Sequence, residues 1–140
     1  MPFLQGSLLQ AMSLAKYRPY VGVEYQAPHG CFKLVERLYR EVLGIDLSGS
    51  DDGLEQSQNK HRTLRMQQKL QEIAVAVNEP QEGDVVVIRS RPWHIAYVIQ
   101  PGLMLHSYLG GTSCIEDYND PRWSNRIEGF YRYVSNSTGE

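Results

Sequence analysis

The sequence predicts an α+β domain in which N-terminal helices pack on a central antiparallel β-sheet. In the first half of the chain, apolar residues recur at the spacing of amphipathic helices. After Gly83 the pattern changes to short strand-like runs, which are separated by Gly- and Pro-containing turns such as 100–102 and 110–111. Helices followed by antiparallel strands are typical of the α+β class. The 140 residues suffice for one domain, 1–140.

Three helices are predicted before the strands. The N-terminal helix occupies residues 1–19 and is ended by Pro19. The second helix runs from Cys31 to Leu43 and stops at Gly44, because glycine accepts the left-handed conformation that ends a helix. The third helix runs from about Asn59 to Val77, and the sequence at 78–80 stops it. Its apolar stripe consists of Met66, Leu70, Ile73 and Val77.

Five strands are predicted in the second half of the chain. The first is a continuous apolar run and is therefore expected to be central in the sheet. The last alternates its side chains between the two faces. Residues 135–140 are polar, and they are predicted to form a frayed tail. The predicted strands are Val85–Ser90, His94–Ile99, Leu103–Leu109, Thr112–Tyr118 and Ile127–Val134.

Composition excludes several classes of function. A net charge of −2 argues against non-specific binding of nucleic acid. The longest apolar runs are shorter than a membrane span, and the first residues lack the basic region of a signal peptide. The chain is therefore expected to be cytoplasmic as synthesised, to be exported with a larger assembly, or to be one domain of a longer protein. A Cys31–Cys114 disulfide is formally possible, but the spacing does not favour it, and Cys114 is interpreted as structural.

Cys31 has the position of a catalytic nucleophile. It follows the loop that contains His29 and opens the second predicted helix. His94 begins one predicted strand, and His106 lies on the next strand along the chain. A cysteine at a helix start and two histidines on neighbouring strands can supply a nucleophile, a base and an orienting group. Because most lone cysteines are simply small buried side chains, this interpretation depends on the three residues together.

The length of the turn at 100–102 decides whether the two histidines can meet. A two-residue loop pairs Gln100 with Leu103 and places His94 and His106 on opposite faces of the sheet. A three-residue loop pairs Ile99 with Leu103 and makes the histidines diagonal neighbours on one face. We expect the three-residue arrangement.

The three residues then have distinct predicted roles. His94 would take the proton from the thiol of Cys31, and His106 would hold the tautomer of His94. The partial positive charge of a helix N-terminus favours the thiolate, and the backbone N–H of Cys31 is an oxyanion donor. The hydroxyl of Tyr25 is a further oxyanion or substrate-positioning candidate, although a buried tyrosine with one hydrogen bond is equally consistent.

Other side chains near these residues are candidates for the substrate cleft. They are His29, Phe32, Lys33 and Trp93. For His29 a plain loop position is favoured, and Trp93 is as consistent with core packing as with a cleft wall. Lys33 could lower the thiol pKa or be solvated. No metal or cofactor is predicted, and the aspartates at 46, 51 and 52 lack the spacing of a calcium loop.

These motifs resemble the NlpC-type family of papain-like cysteine peptidases from about Tyr20 to Val134. Residues 21–25 resemble the family's Gly-x-x-Tyr segment, and residues 30–47 resemble its nucleophile helix. Residues 83–87 are similar to its Gly-Asp strand, and residues 94–99 to its His-Val-Gly-Ile strand. His106 falls where the third polar residue of the family is expected. The short format looks most like versions from tail-tip proteins of long-tailed phages.

The resemblance implies a papain-like core and hydrolysis of amide bonds in the stem peptides of peptidoglycan, without a metal. The predicted partners are therefore a peptidoglycan peptide and phage tail-tip proteins, with action in the periplasm or cell wall. Gly30, Phe32 and Lys33 depart from the family, which usually has Asp before the cysteine and Ser-Gly after it. These departures leave two alternatives open: a non-catalytic docking module of a tail or envelope assembly, and an acyl transferase that uses an amine acceptor.

Overall fold

Helix α1, Gly30–Leu38, packs against strands of a six-stranded antiparallel sheet. The computed structural model describes residues 14–26, 30–47, 67–90, 93–107 and 110–134. Most of the predicted N-terminal helix, the start of the third helix, His29 and the tail lie outside these residues. None of the helices within the described ranges has the length and hydrophobicity of a membrane-spanning segment.

The second predicted helix is confirmed with small changes at its ends. A π-helical turn, Tyr39–Leu43, continues α1, and Gly44 ends it at φ 71°. The predicted C-terminal glycine therefore has the left-handed conformation that the sequence pattern indicates. The side of α1 that faces the sheet is apolar and carries Cys31, Leu34, Val35 and Leu38, all of them buried.

The strands form one sheet in the order β1-β6-β2-β3-β4-β5, and every neighbouring pair is antiparallel. The central position predicted for the first apolar run is confirmed, because β2 pairs with both β3 and β6. A short helix, α3, Pro121–Ser124, connects β5 to β6. The strands are β1 Ala74–Val77, β2 Val85–Ile88, β3 His94–Gln100, β4 Leu103–His106, β5 Cys114–Asp117 and β6 Ile127–Tyr133.

The predicted extension of the third helix to Val77 is wrong. Residues 67–73 are helical and form α2, but β1 begins directly after them at Ala74. Each residue of β1 is paired with β6, from Ala74 opposite Tyr133 to Val77 opposite Phe130. These pairings with a strand far along the sequence outweigh a local helical pattern, because tertiary context routinely overrides propensity.

The two faces of the sheet bury separate apolar clusters. Alternate residues of β2 and β3, among them Val85, Ile95 and Tyr97, join α1 in the larger cluster. The intervening residues, among them Ala96, face a second cluster that includes Trp123 after β5. Because side chains alternate along a strand, His94 and His106 lie on this second face, as Ala96 and Met104 do.

The β3–β4 hairpin combines features of both predicted loops. Gln100 is paired with Leu103, so the turn itself is the two residues Pro101 and Gly102, with Gly102 at φ 98°. The register then shifts between Val98 and Gln100, and Tyr97 is opposite Leu105. Residue 99 is therefore a bulge, which restores the predicted odd register, and the predicted three-residue loop is replaced by a turn plus a bulge.

Candidate active site

His94 and His106 are direct neighbours on one face of the sheet. The register of β3 and β4 places His106 opposite Ala96, diagonal to His94. His94 Nε2 and His106 Nδ1 lie 2.8 Å apart, a hydrogen-bond distance, and the ring centroids are 5.0 Å apart. The prediction that the histidines share a face is confirmed.

The second nitrogen of His106 is bonded to a carboxylate. His106 Nε2 lies 2.7 Å from Glu116 Oε2, and Arg122 donates to the other oxygen of Glu116 at 2.5 Å. Glu116 reaches His106 because Cys114, two residues earlier on β5, is directly opposite His106 on β4. The side chain of His106 is fully buried, and its ring packs edge-to-face with the ring of Trp123.

Burial and charge set the protonation of this pair. Burial lowers the pKa of His106, although the bond to Glu116 acts in the opposite direction. Partial burial alone would raise the pKa of Glu116, but the His106 bond, the nearby indole N–H of Trp123 and the charge of Arg122 outweigh it, so the pKa is lowered. At neutral pH, His106 is therefore neutral and Glu116 is ionised.

Cys31 lies in the first turn of α1. Its side chain is 1% exposed and belongs to the cluster that includes Ile95, the residue after His94. Gly30 and Ser107 line the same small pocket, which shows that the start of α1 and the end of β4 are close. His94 is the first residue of β3 and His106 the last residue of β4, so both histidines lie at the end of the sheet where α1 begins.

Tyr25 is packed directly on Gly30, the residue before Cys31. A Cβ atom added to Gly30 would lie 2.7 Å from Cδ2 of the Tyr25 ring, closer than real side-chain contacts. The ring thus occupies the space that a side chain at position 30 would need. This contact gives a physical reason for glycine at position 30.

The remaining cleft candidates lie in different environments. Phe32 is only 7% exposed and lines an apolar pocket between α1 and α2. Lys33 lines the small pocket next to Gly30, together with Glu24. Trp93 lines an open groove beside α2 and β6, next to His94 in the chain. His29 lies outside the described residues.

Three potential metal ligands meet on β4 and β5. The side-chain ligand atoms of His106, Cys114 and Glu116 lie within 4.8 Å of one another. The Cys114 sulfur is 3.8 Å from His106 Nε2 and 3.7 Å from Glu116 Oε2. A metal would have to displace the proton that now joins His106 to Glu116, so the hydrogen bond accounts for the arrangement of this pair without one.

Glu116 is the residue of this site that the sequence did not single out. Its signal was an acidic side chain on the predicted strand 112–118, next along the chain from the strand of His106. Both strands were predicted, but their register was not, and only the register of β4 with β5 brings Glu116 to His106.

The fold and the paired histidines define the class of the protein. An antiparallel sheet, a packed helix with cysteine in its first turn and two bonded histidines on adjacent strands form the arrangement expected of an NlpC-type, papain-like core. The sequence model of the NlpC/P60 family matches residues 18–132. The chain belongs to the NlpC/P60 family, whose members are generally cysteine peptidases associated with the cell wall.

A solved structure supports the same fold. The chain is similar to a lipoprotein-like protein of the NLP/P60 family from Staphylococcus aureus Mu50, with a TM-score of 0.56 and 15% identity. The similarity covers 90% of this chain and 41% of that protein, so this chain spans about two-fifths of its length. No curated protein sequence gives a match.

Proposed function

We propose that the protein is a cysteine amidase or endopeptidase that hydrolyses amide bonds in peptidoglycan stem peptides. The observation that carries this proposal is the 2.8 Å bond between His94 and His106, at the end of the sheet where the cysteine helix begins, in a chain of the NlpC/P60 family. In this proposal Cys31 is the nucleophile, His94 the base and His106 the group that orients it. Action at the cell wall and association with a phage tail stay predictions.

The proposed reaction has two halves. His94 Nδ1 takes the proton of the Cys31 thiol, because Nε2 of the same ring is bonded to His106. The thiolate attacks the carbonyl carbon, the C–N bond breaks, and the imidazolium returns the proton to the leaving amine. Water then attacks the thioester and gives a proton to His94. The C–S bond breaks, His94 returns the proton to the Cys31 sulfur, and the carboxylic acid product is released.

The start of α1 supports the charged species of this reaction. The first turn of a helix has backbone N–H groups without helical acceptors, and its partial positive charge favours a thiolate and an oxyanion. The backbone N–H of Cys31 is the proposed oxyanion donor. Tyr25, packed on Gly30 one residue earlier, is held where its side chain can border the same site.

The test is digestion of purified cell walls, with the fragments identified by mass spectrometry. The wild type and Cys114→Ala should release the same new amino and carboxyl ends, and Cys31→Ala should release none. Cys114→Ala is the matched control, because it removes the other thiol of the chain. Circular dichroism verifies that each variant is folded. Identical fragment profiles from the wild type and Cys31→Ala would refute the hydrolase proposal.

A second candidate is a docking module that keeps the fold without turnover. The 1% exposure of Cys31 favours it, since a substrate carbonyl has to reach the sulfur. The two functions differ in thiol chemistry. A hydrolase should show alkylation of Cys31 that is fast at neutral pH and slowed by His94→Gln. A docking module should show slow alkylation that does not respond to His94→Gln.

A further inference from the structure

Four side chains form a continuous hydrogen-bonded series behind the proposed base. His94 is bonded to His106 at 2.8 Å, His106 to Glu116 at 2.7 Å, and Glu116 to Arg122 at 2.5 Å. His106 is fully buried, and 15% of the Glu116 side chain is exposed. The proposed base and orienter use the first link of this series, and the two outer links have no assigned role.

The charge at the outer end determines where every proton in the series lies. An ionised carboxylate can only accept hydrogen bonds, so the hydrogen of the Glu116 bond belongs to Nε2 of His106. Nδ1 of the neutral His106 ring is then an acceptor. The hydrogen between the rings must therefore belong to Nε2 of His94, which leaves the lone pair of His94 on Nδ1.

We propose that Glu116 is a positioning residue that fixes the Nε2–H tautomers of both His106 and His94, and thereby presents Nδ1 of His94 as the base. Its use in catalysis rests on the proposed function, whereas the tautomers themselves do not. Arg122 contributes by bonding Oε1, so that Oε2 faces His106. When His94 takes the thiol proton, the carboxylate also stabilises the imidazolium through His106.

The Glu116→Gln substitution tests this role, because a carboxylate has two accepting oxygens and an amide has one accepting oxygen and one donating nitrogen. Arg122 only donates, so the amide oxygen is expected to stay at the Oε1 position that Arg122 contacts. The amide nitrogen then donates to Nε2 of His106. Both rings must reverse their tautomers, and Nδ1 of His94 carries a hydrogen. Removing Arg122 as well frees the amide to rotate, and the original tautomers can return.

Ring tautomers can be read without any activity. In Cys31→Ala protein labelled with ¹⁵N-histidine, two-bond ¹H–¹⁵N spectra distinguish Nε2–H from Nδ1–H rings, and His94→Gln and His106→Gln assign the signals. We expect Nε2–H for both rings with Glu116, Nδ1–H with Glu116→Gln, and Nε2–H again with Glu116→Gln/Arg122→Ala. Unchanged tautomers in Glu116→Gln would overturn the proposal.

Kinetics then test the catalytic consequence in the protein with Cys31. Glu116→Gln should lower kcat by about 10²–10⁴-fold, the scale of a wrong tautomer in a catalytic triad, with KM nearly unchanged. The double variant should have a higher kcat than Glu116→Gln alone. Asp117→Asn is the matched control: it removes a carboxylate from the adjacent position of β5 and should retain the wild-type kcat. Reversed tautomers with an unchanged kcat would overturn the positioning role, whereas the absence of Cys31-dependent cleavage in every variant would refute the hydrolase function alone.

Discussion

Replacing Gly30 with alanine tests how Tyr25 is seated at the start of α1. The new Cβ atom would lie 2.7–2.9 Å from three ring atoms of Tyr25, so the ring or the helix must move. Gly30 does not have a positive φ, so the backbone itself accepts alanine. Overpacking typically costs about 1–3 kcal/mol. The higher helix propensity of alanine offsets up to about 1 kcal/mol of this cost, so we expect a net loss of about 1–2 kcal/mol.

The measurement is urea unfolding followed by circular dichroism in a double-mutant cycle with Tyr25→Ala. Without the ring, Gly30→Ala should be neutral or slightly stabilising, which gives a coupling energy above about 1 kcal/mol. Gly44→Ala is the matched control. Gly44 has φ 71° and nothing within 4 Å of an added Cβ, so its substitution strains the backbone without touching a neighbour. Its cost of about 1–2 kcal/mol should be the same with and without Tyr25.

Equal costs of Gly30→Ala in the wild-type and Tyr25→Ala backgrounds would refute this reasoning. The loss would then come from the helix start itself. The same variants also address the site: if Tyr25 positions substrate, Gly30→Ala should lower turnover, whereas Gly44→Ala should leave it unchanged.

Two further predictions concern stability. Asp84→Ala should cost about 1.5–3 kcal/mol in urea unfolding, the scale of hydrogen bonds to a charged group. The buried Asp84 carboxylate accepts hydrogen bonds from Nε and Nη2 of Arg132, both at 2.9 Å, and from the Gln81 N–H at 2.7 Å. A loss below about 1 kcal/mol would mean that Asp84 contributes no more than a surface ion pair. Because the pKa of His106 is lowered by folding, the unfolded chain takes up the proton first as pH falls below about 6.5. Stability should therefore fall with decreasing pH from that point until the folded pKa is passed, by at most about 1.4 kcal/mol per pH unit. His106→Gln should remove this part of the slope, and an unchanged slope would contradict the assignment.

Local patterns in the sequence were sufficient for most of the fold. The continuous apolar run of β2, the glycine at the end of α1 and the strands that carry the histidines were all predicted from neighbours in sequence. The error at 74–77 has a different origin. Ile73 and Val77 continue a helical stripe, and only pairing with β6 makes this segment a strand. Such long-range pairing has no local signature.

In the candidate site, too, features determined by neighbours in sequence could be predicted, and features that depend on long-range packing could not. The neighbouring positions of His94 and His106 could be predicted, because one hairpin determines them. The bulge at Ile99 could not be read from the turn residues, although its effect on register agrees with the prediction. Glu116 and Arg122 depend on how β5 and α3 are placed, and the burial that lowers the pKa of His106 depends on Trp123 packing against it.

Because of the bulge at Ile99, the number of residues between β3 and β4 determines which face of the sheet His106 occupies. Substitutions at Pro101 can be absorbed by the turn, but inserting or deleting one residue between β3 and β4 would exchange the two faces of β4. His106 would then point toward α1, and Leu105 would take its place beside Glu116. Homologues that retain the imidazole pair should therefore vary in sequence at this turn and conserve the number of residues between the two histidines.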